Sequence, residues 1–132
     1  MVKKYLKKII AQSPQDLQVI SACCEAGKIK VSEIKYLPKN KIFLFLVDRI
    51  TREKENSNER VKSIVKFEYI ENSKSKNIDH SNPDNFMELV AINVFKNNKN
   101  YEITLLFSDN GIITLNAEIV EAVLEDQSKI ND

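Results

Sequence analysis

The stretch at residues 101–117, which reads YEITLLFSDNGIITLNA, decides the fold class. Apolar residues alternate with other residues on both sides of a central Ser-Asp-Asn-Gly, namely Ile103, Leu105, Phe107, Ile113, Leu115 and Ala117. Because Asn and Gly tolerate the positive φ that hairpin turns require, this pattern predicts two antiparallel strands joined at Asn110-Gly111. We therefore expect an antiparallel sheet, with these apolar residues pointing into one core.

The length of the chain limits it to a single domain. Its 132 residues are enough to bury one core and too few for two. No apolar run approaches the roughly 18 residues of a membrane span, and the lysine-rich N-terminus lacks the core and cleavage site of a signal peptide. The adjacent Cys23 and Cys24 cannot form an intrachain disulfide framework. We expect one cytoplasmic domain at residues 1–132, with its core at about residues 13–126.

One helix is predicted at residues 14–26. Ser13 is a typical N-cap, Pro14 suits the first helical position, and Asp16 stands three residues after the cap, as in a capping box. Gly27 is expected to end the helix in the left-handed conformation. The preceding residues 3–10 are compatible with a short strand or with an irregular lead-in.

After the helix the apolar period changes to two, which predicts a series of strands. Strands are expected from Lys28, from Ile34, and at residues 42–50 and 61–70. Residues 86–95 are expected to form a further strand, or a short helical turn that leads into one. The run at residues 42–50 is too apolar for an exposed edge, so we expect it in the centre of the sheet. The charged residues 51–59 are expected to form a surface loop, and the turn-rich residues 73–85 the longest irregular segment.

The last segment, residues 119–126, fits two structures. Four of its apolar residues have helical spacing, namely Ile119, Val120, Val123 and Leu124. Val120, Ala122 and Leu124 also alternate as in a strand, provided that a bulge near residues 118–119 shifts the parity set by the hairpin. We favour the bulged strand over the helix.

The predicted fold class is α+β, with one N-terminal helix packed on a twisted antiparallel sheet of six or seven strands. The sequence leaves open whether this sheet curls toward a half barrel like that of pleckstrin-homology domains. Such an architecture mostly serves binding, which is an analogy at the level of the fold alone.

Positive and negative residues are unevenly distributed along the chain. Residues 1–66 contain 15 Lys and Arg against 7 Asp and Glu, whereas residues 67–132 contain 5 against 12. Such asymmetry is typical either of a nucleic-acid or membrane face or of basic and acidic strands that meet in one sheet. We expect internal pairing, with Lys28 and Lys30 opposite an acidic row formed by Glu118, Glu121 and Glu125.

The sequence contains no recognisable catalytic, cofactor-binding or metal site. The single histidine, His80, has Asp79 and Asp84 nearby, but turn chemistry explains these residue types without a catalytic role. One histidine and two adjacent cysteines do not supply the three ligands of a metal site. Two glycines, Gly27 and Gly111, are too few for a phosphate-binding loop. We therefore expect no cofactor.

A basic cluster near Tyr36 is the one candidate binding face. Its cations are Lys28, Lys30, Lys35, Arg49 and Arg52. Aromatic rings beside a basic groove hold single-stranded nucleic acids. The net charge of only +1 and the absence of an RNA-binding motif argue against that partner here.

The chain resembles a family of short alphaproteobacterial proteins that is known only as a domain of unknown function. The matching residues, from about residue 13 to 126, are Asp16-Leu17-Gln18-Val19-Ile20-Ser21-Ala22, Tyr36-Leu37-Pro38 before Phe43, Arg49 with Glu53, Ile78-Asp79-x-Ser81-x-Pro83-Asp84, Leu105-x-Phe107, and Ile113-x-Leu115-x-x-Glu118. The family often has an aromatic residue before the position of Glu53, where this chain has Arg52, which weakens the case for a shared aromatic contact there. The resemblance implies a cytoplasmic single domain and no particular reaction.

These observations favour a non-enzymatic interaction or accessory protein with an unknown protein partner. The alternatives are a small enzyme with an unrecognised site and a single-stranded nucleic-acid-binding domain. The oligomeric state stays open.

Overall fold

The computed structural model describes residues 6–50 and 60–129, which form one α-helix and ten strands. The elements in chain order are β1 (Lys8–Ala11), α1 (Pro14–Cys24), β2 (Lys28–Lys30), β3 (Ile34–Leu37), β4 (Ile42–Ile50), β5 (Arg60–Phe67), β6 (Ile70–Lys76), β7 (Phe86–Asn97), β8 (Asn100–Phe107), β9 (Ile112–Ala117) and β10 (Ala122–Lys129). The α+β class is confirmed, but the sheet has ten strands rather than six or seven. The excess comes from short strands and from β6, which lies partly within the segment expected to be irregular.

Every pairing between these strands is antiparallel. The spatial order is β1-β10-β5-β4-β2-β7-β8-β9-β6, and β3 pairs with β4 beside β2. β4 has the predicted boundaries and lies in the interior of the sheet, as its apolar sequence indicated. The predicted loop at residues 51–59 lies outside the described residues.

Two corners carry the chain from one half of the sheet to the other. The predicted single strand at residues 61–70 is interrupted at Tyr69, which has a φ of 61°, and β6 then pairs with β9 instead of continuing beside β4. The second corner joins β9 to β10, and the two corners are bonded to each other, because Glu118 N donates to Tyr69 O over 3.0 Å. The first half comprises β1 to β5 and β10, and the second comprises β6 to β9.

The last segment is a strand, as favoured, and not a helix. We expected a bulge near residues 118–119 to change the parity of the apolar residues. The change arises instead at the second corner, because β9 pairs with β8 before it and β10 pairs with β5 and β1 after it. Val120, Ala122 and Leu124 are buried, so the predicted alternation correctly identified the inner face of this segment.

The hairpin between β8 and β9 forms as predicted, with Leu105 opposite Ile113. All six alternating apolar residues of the hairpin are buried. The positive φ angles, however, belong to Asp109 at 62° and Asn110 at 66°, whereas Gly111 has a φ of −69°. Asp and Asn are the other residues that adopt this conformation readily, so the turn uses them in place of glycine.

The helix begins as predicted but ends two residues early. Ser13 Oγ accepts a hydrogen bond from Asp16 N over 3.1 Å, which caps the N-terminus. At the other end the left-handed residue is Ala26, with a φ of 66°, and not Gly27. A Cβ atom at Gly27 would lie 2.6 Å from Val47 Cγ2, so glycine is needed there for the close approach to β4.

The helix packs between β7 and β1, on the inner side of the sheet. Its buried residues Leu17, Ile20 and Cys24 belong to the same core cluster as the inward side chains of both halves. Ser21 Oγ accepts a hydrogen bond from Ile92 N over 2.9 Å, so the helix also satisfies the edge of β7. No helix in residues 6–50 and 60–129 is long and apolar enough to cross a membrane.

Candidate interaction surface

The outward side of the first half of the sheet, here called the outer face, is the candidate interaction surface. β4 alternates between the core, where Phe43 and Phe45 are buried, and the outer face, where Leu44 and Leu46 are only half-buried. The cross-strand register places further outward residues beside them, namely Lys8, Ile10, Lys28, Lys30, Lys35, Asp48, Lys62, Ile64, Lys66, Val123 and Glu125. α1 lies on the opposite side, since its buried residues belong to the core.

The centre of the outer face is apolar. Leu44 and Leu46 lie on β4, Ile64 is directly opposite Leu46, and Val123 follows on β10. All four side chains are half-buried, and Ile10 beside Val123 is 58% exposed. β4 is therefore apolar on both sides, and in the described residues a second layer covers only its inner side.

Most cations on this face lie next to carboxylates. Three of them form ion pairs. Arg60 Nε is 2.8 Å from Asp48 Oδ1, and Lys62 Nζ is 3.1 Å from Glu33 Oε2. Lys30 Nζ is 3.6 Å from Asp84 Oδ1. In the register, Lys28 lies between Asp48 and Glu88, and Lys8 is opposite Glu125. Positive and negative side chains are thus intermixed around the apolar centre of the outer face.

Lys35 and Lys66 have apolar residues, and no carboxylate, directly opposite them in the register. Both are opposite Leu44 in the register, one on each neighbouring strand, and Lys66 faces Val123 on its other side. Neither forms an ion pair with another residue in the described part of the chain. Both lysines therefore border the apolar centre without an ion-pair partner among the described residues.

A cleft at the end of the outer face contains an exposed aromatic ring. It has a volume of about 420 Å³ and is lined by Lys28, Asp48, Arg60, Phe86, Met87, Glu88 and Ser108. Phe86 is 54% exposed, and Lys30 Nζ lies 5.9 Å from the centroid of its ring. A cation over an exposed ring is a weak attraction that leaves most of the ring available to a ligand.

The structure brings together three of the five predicted cations. Lys28, Lys30 and Lys35 share the outer face, whereas Arg49 is 2% exposed and points into the interior. Arg52 lies outside the described residues. Tyr36 points away from Lys35, and its hydroxyl donates to Ile70 O over 3.1 Å.

Arg49 belongs to a buried polar cluster at one end of the core. Its Nη2 donates to both carboxylate oxygens of Asp126 over 2.8 and 2.9 Å, and its Nε donates to Ser63 Oγ over 3.0 Å. The Ser63 hydroxyl and the backbone N–H of Lys7 also donate to Asp126, over 2.6 and 2.9 Å. The cluster thereby joins β10 to β4, β5 and the residue before β1.

Ser63 and Asp126 were not identified from the sequence, although a signal existed. Arg49 has the parity of Val47, and Asp126 has the parity of Leu124, so alternation alone directs both side chains inward. We nevertheless expected both residues at the surface, because charged residues are rarely buried without a partner.

A second cleft, of about 250 Å³, lies beside this cluster. Its lining comprises Lys7, Val19, Ala22, Cys23, Glu25, Arg49 and Ile50. Cys23 is half-buried, whereas the neighbouring Cys24 is buried in the core. Burial raises the pKa of the Cys24 thiol to about 12, and the nearby Arg49 offsets part of that rise.

His80 is exposed in the loop between β6 and β7. Its Nε2 lies 3.0 Å from Ser75 Oγ. The carboxylate of Asp79 instead accepts hydrogen bonds from Ser81, which lower the pKa of Asp79. The described residues therefore contain a serine–histidine contact in which Asp79 does not orient the ring.

The predicted pairing of Lys28 and Lys30 with the acidic row of the last segment is wrong. Their cross-strand neighbours are on β7 and β4, because β2 lies between these strands. Pairing between the basic and acidic halves of the chain does occur elsewhere. Lys41 Nζ lies 2.8 Å from Glu118 and 3.2 Å from Glu71, and these hydrogen bonds raise the pKa of Lys41.

Comparison with known proteins confirms the resemblance to an uncharacterised family. A family model described as "Protein of unknown function (DUF2948)" matches residues 7–131. No curated protein and no solved structure is significantly similar to the chain. Within residues 6–50 and 60–129, no group of three or more histidine, cysteine or acidic residues is arranged to hold a metal ion.

Proposed function

We infer that this chain, which belongs to the DUF2948 family of proteins of unknown function, is a non-enzymatic interaction protein that binds a partner protein through its outer face. The observation that carries this proposal is the second apolar side of β4. Leu44 and Leu46 lie there beside Ile64 and Val123, without a covering layer in the described residues.

Strands in an ordinary two-layer fold alternate between apolar inward and polar outward residues. The outer sides of β8 and β9 are mostly polar, with Glu102, Thr104, Thr114 and Asn116 in register and the apolar pair Leu106 and Ile112 at one end. β4 departs from the rule on its outer side. Apolar patches with a polar rim are characteristic of surfaces that bind other proteins.

We also propose that the protein is cytoplasmic and that its sheet is curled. Two free thiols, Cys23 and Cys24, support a cytoplasmic location, since thiols persist in reducing compartments. The bonded corners between the two halves of the sheet support a curled sheet similar to the half barrel of pleckstrin-homology domains. In such a fold the outer face would remain accessible, which suits a binding module.

Selection from a random peptide library displayed on phage tests the proposed function. The immobilised protein should enrich peptides that bind in solution, and Leu46→Glu should weaken their binding about thirtyfold, as loss of a central apolar contact does. Thr104→Glu is the matched control, because Thr104 is also a half-buried outward residue, but on the second half of the sheet. Equal binding by the two variants would refute the outer face as the binding surface.

A second candidate function is the binding of single-stranded nucleic acid at the Phe86 cleft. The exposed ring of Phe86 beside Lys28 and Lys30 is the observation that favours it, since bases stack on such rings. Fluorescence anisotropy with a labelled single strand should then show binding at about 50 mM salt that is lost at about 200 mM. Absence of binding at the lower salt would eliminate this candidate.

A further inference from the structure

We propose that the partner of the outer face is an acidic amphipathic helix, which places carboxylates near Lys35 and Lys66 and an apolar side chain against Leu44. This proposal rests on the proposed function, because it specifies the kind of protein segment that the outer face binds.

The positions of the two lysines carry the argument. Lys35 on β3 and Lys66 on β5 are both opposite Leu44 on β4, so the three residues form one row across three strands. Because neighbouring strands lie about 4.8 Å apart, the backbones of the two lysines are separated by about 10 Å, with Leu44 midway. The row therefore has the order cation, apolar residue, cation.

A helix that crosses the strands matches this row. Its residues rise by about 1.5 Å each, so side chains at i and i+7 lie about 10.5 Å apart on one side, with i+3 or i+4 between them. Acidic residues at i and i+7 would face Lys35 and Lys66. An apolar residue at i+3 or i+4 would face Leu44. Leu46 and Ile64 in the next row extend the apolar contact.

The charge distribution on the outer face favours an acidic partner over a basic one. Lys30 and Lys62 already contact carboxylates of the same chain, whereas Lys35 and Lys66 do not contact one among the described residues. Glu68, Glu121 and Glu125 line a shallow depression with Lys66 and Lys8 at one end of the face, but none of these carboxylates lies within ion-pair distance of Lys66, and Glu121 accepts hydrogen bonds from Gln12. Carboxylates of a partner could thus form ion pairs with two lysines that have none, and bound apolar side chains beside them would reduce the screening of these pairs by solvent.

The composition of selected peptides tests the acidic helix separately from the binding surface. We expect peptides enriched on the wild-type protein to carry acidic residues at i and i+7 around an apolar i+3 or i+4. Selection on Lys35→Glu/Lys66→Glu should enrich basic residues at these two positions instead. The control Lys74→Glu/Lys76→Glu introduces the same charge change on exposed residues of β6 and should select the same peptides as the wild type.

The outcomes distinguish the two proposals. If Leu46→Glu abolishes peptide binding but the charge reversal leaves the selected acidic content unchanged, the outer face is the binding surface and the acidic helix is refuted. If neither change affects binding, both proposals fail. Binding of a single-stranded oligonucleotide, lost in Lys35→Glu/Lys66→Glu, would assign these lysines to nucleic acid and refute the acidic helix.

Discussion

Replacement of Asp126 by alanine should destabilise the protein more than any other single charge deletion in the first half of the sheet. The Asp126 carboxylate accepts hydrogen bonds from Arg49, from the Ser63 hydroxyl and from the backbone N–H of Lys7. The Arg49 and Asp126 side chains are 3% and 4% exposed. Because both side chains are almost fully covered, the variant should retain a largely desolvated guanidinium without its counter-ion.

The expected loss follows from this burial. Removing one partner of a buried ion pair costs about 3–5 kcal/mol, because the other charge stays desolvated. Domains of this size have unfolding free energies of about 5–15 kcal/mol, so Asp126→Ala should remove about a fifth or more of the total. A surface ion pair, by contrast, contributes about 0–1 kcal/mol.

Urea denaturation followed by circular dichroism measures this loss. With an m value of about 2 kcal/mol/M, the midpoint of Asp126→Ala should fall by about 2 M. The neighbouring Glu125→Ala removes an exposed carboxylate from the same strand and should change the unfolding free energy by less than about 0.5 kcal/mol.

The triple variant Arg49→Met/Ser63→Ala/Asp126→Leu distinguishes two contributions to stability. One is the cost of burying the Arg49 charge without a partner, and the other is the net contribution of the whole polar cluster. It replaces all three polar side chains with apolar ones, and it should recover most of the stability lost in Asp126→Ala. A loss below about 1 kcal/mol in Asp126→Ala would refute the reasoning, as it would mean that the Arg49 guanidinium is solvated in the absence of its partner.

Four further results are expected. Leu105→Ala should lower the unfolding free energy by about 2–5 kcal/mol in urea denaturation, because the side chain is fully buried, and a loss below about 0.5 kcal/mol would contradict its place in the core. Gly27→Ala should lower the melting temperature, since the new Cβ would overlap β4, and an unchanged value would contradict the close approach. Iodoacetamide at pH 8 should modify Cys23 and leave Cys24 unmodified until urea unfolds the chain, because the buried thiol has a pKa near 12, and rapid labelling of both native thiols would disprove this. His80→Ala should bind selected peptides as the wild type does, since the residue lies outside the outer face, whereas complete loss of function in the folded variant would favour an enzyme.

The sequence predicted elements whose signals are local. The Asn-Gly hairpin, the Ser13 cap and the apolar run of β4 each depend on residues within one element, and each was confirmed. The corner at Tyr69 depends on bonds to the backbone of Lys41 and of Glu118, which are distant in the chain. No local pattern distinguishes a strand that crosses between halves of a sheet from one that continues straight.

The candidate surface was predictable in part for a similar reason. Alternation with Ile29 placed Lys28 and Lys30 on one side, and the structure agrees. Lys35 has the opposite parity and reaches the same face only because the 3-10 turn Val31–Glu33 separates β2 from β3. The alternation of β4 directs Arg49 inward with Val47, whereas its charge had led us to expect it on the binding face. That no layer within residues 6–50 and 60–129 covers the outer side of β4 could not be predicted, because an apolar strand of this kind is usually covered on both sides.

The position of β10 has a consequence for the biosynthesis of the protein. Among the described residues β10 is the last strand in chain order, yet it lies between β1, the first of them, and β5. While the ribosome is still adding residues 122–129, β1 has no strand to join, and Arg49 lacks the carboxylate that neutralises it. Domains often begin to fold during translation, but the pairing of β1 and the neutralisation of Arg49 must wait until β10 has left the exit tunnel. We therefore expect a nascent chain stalled before residue 122 to leave apolar residues of the first half exposed, so the native core can form only after β10 has been synthesised.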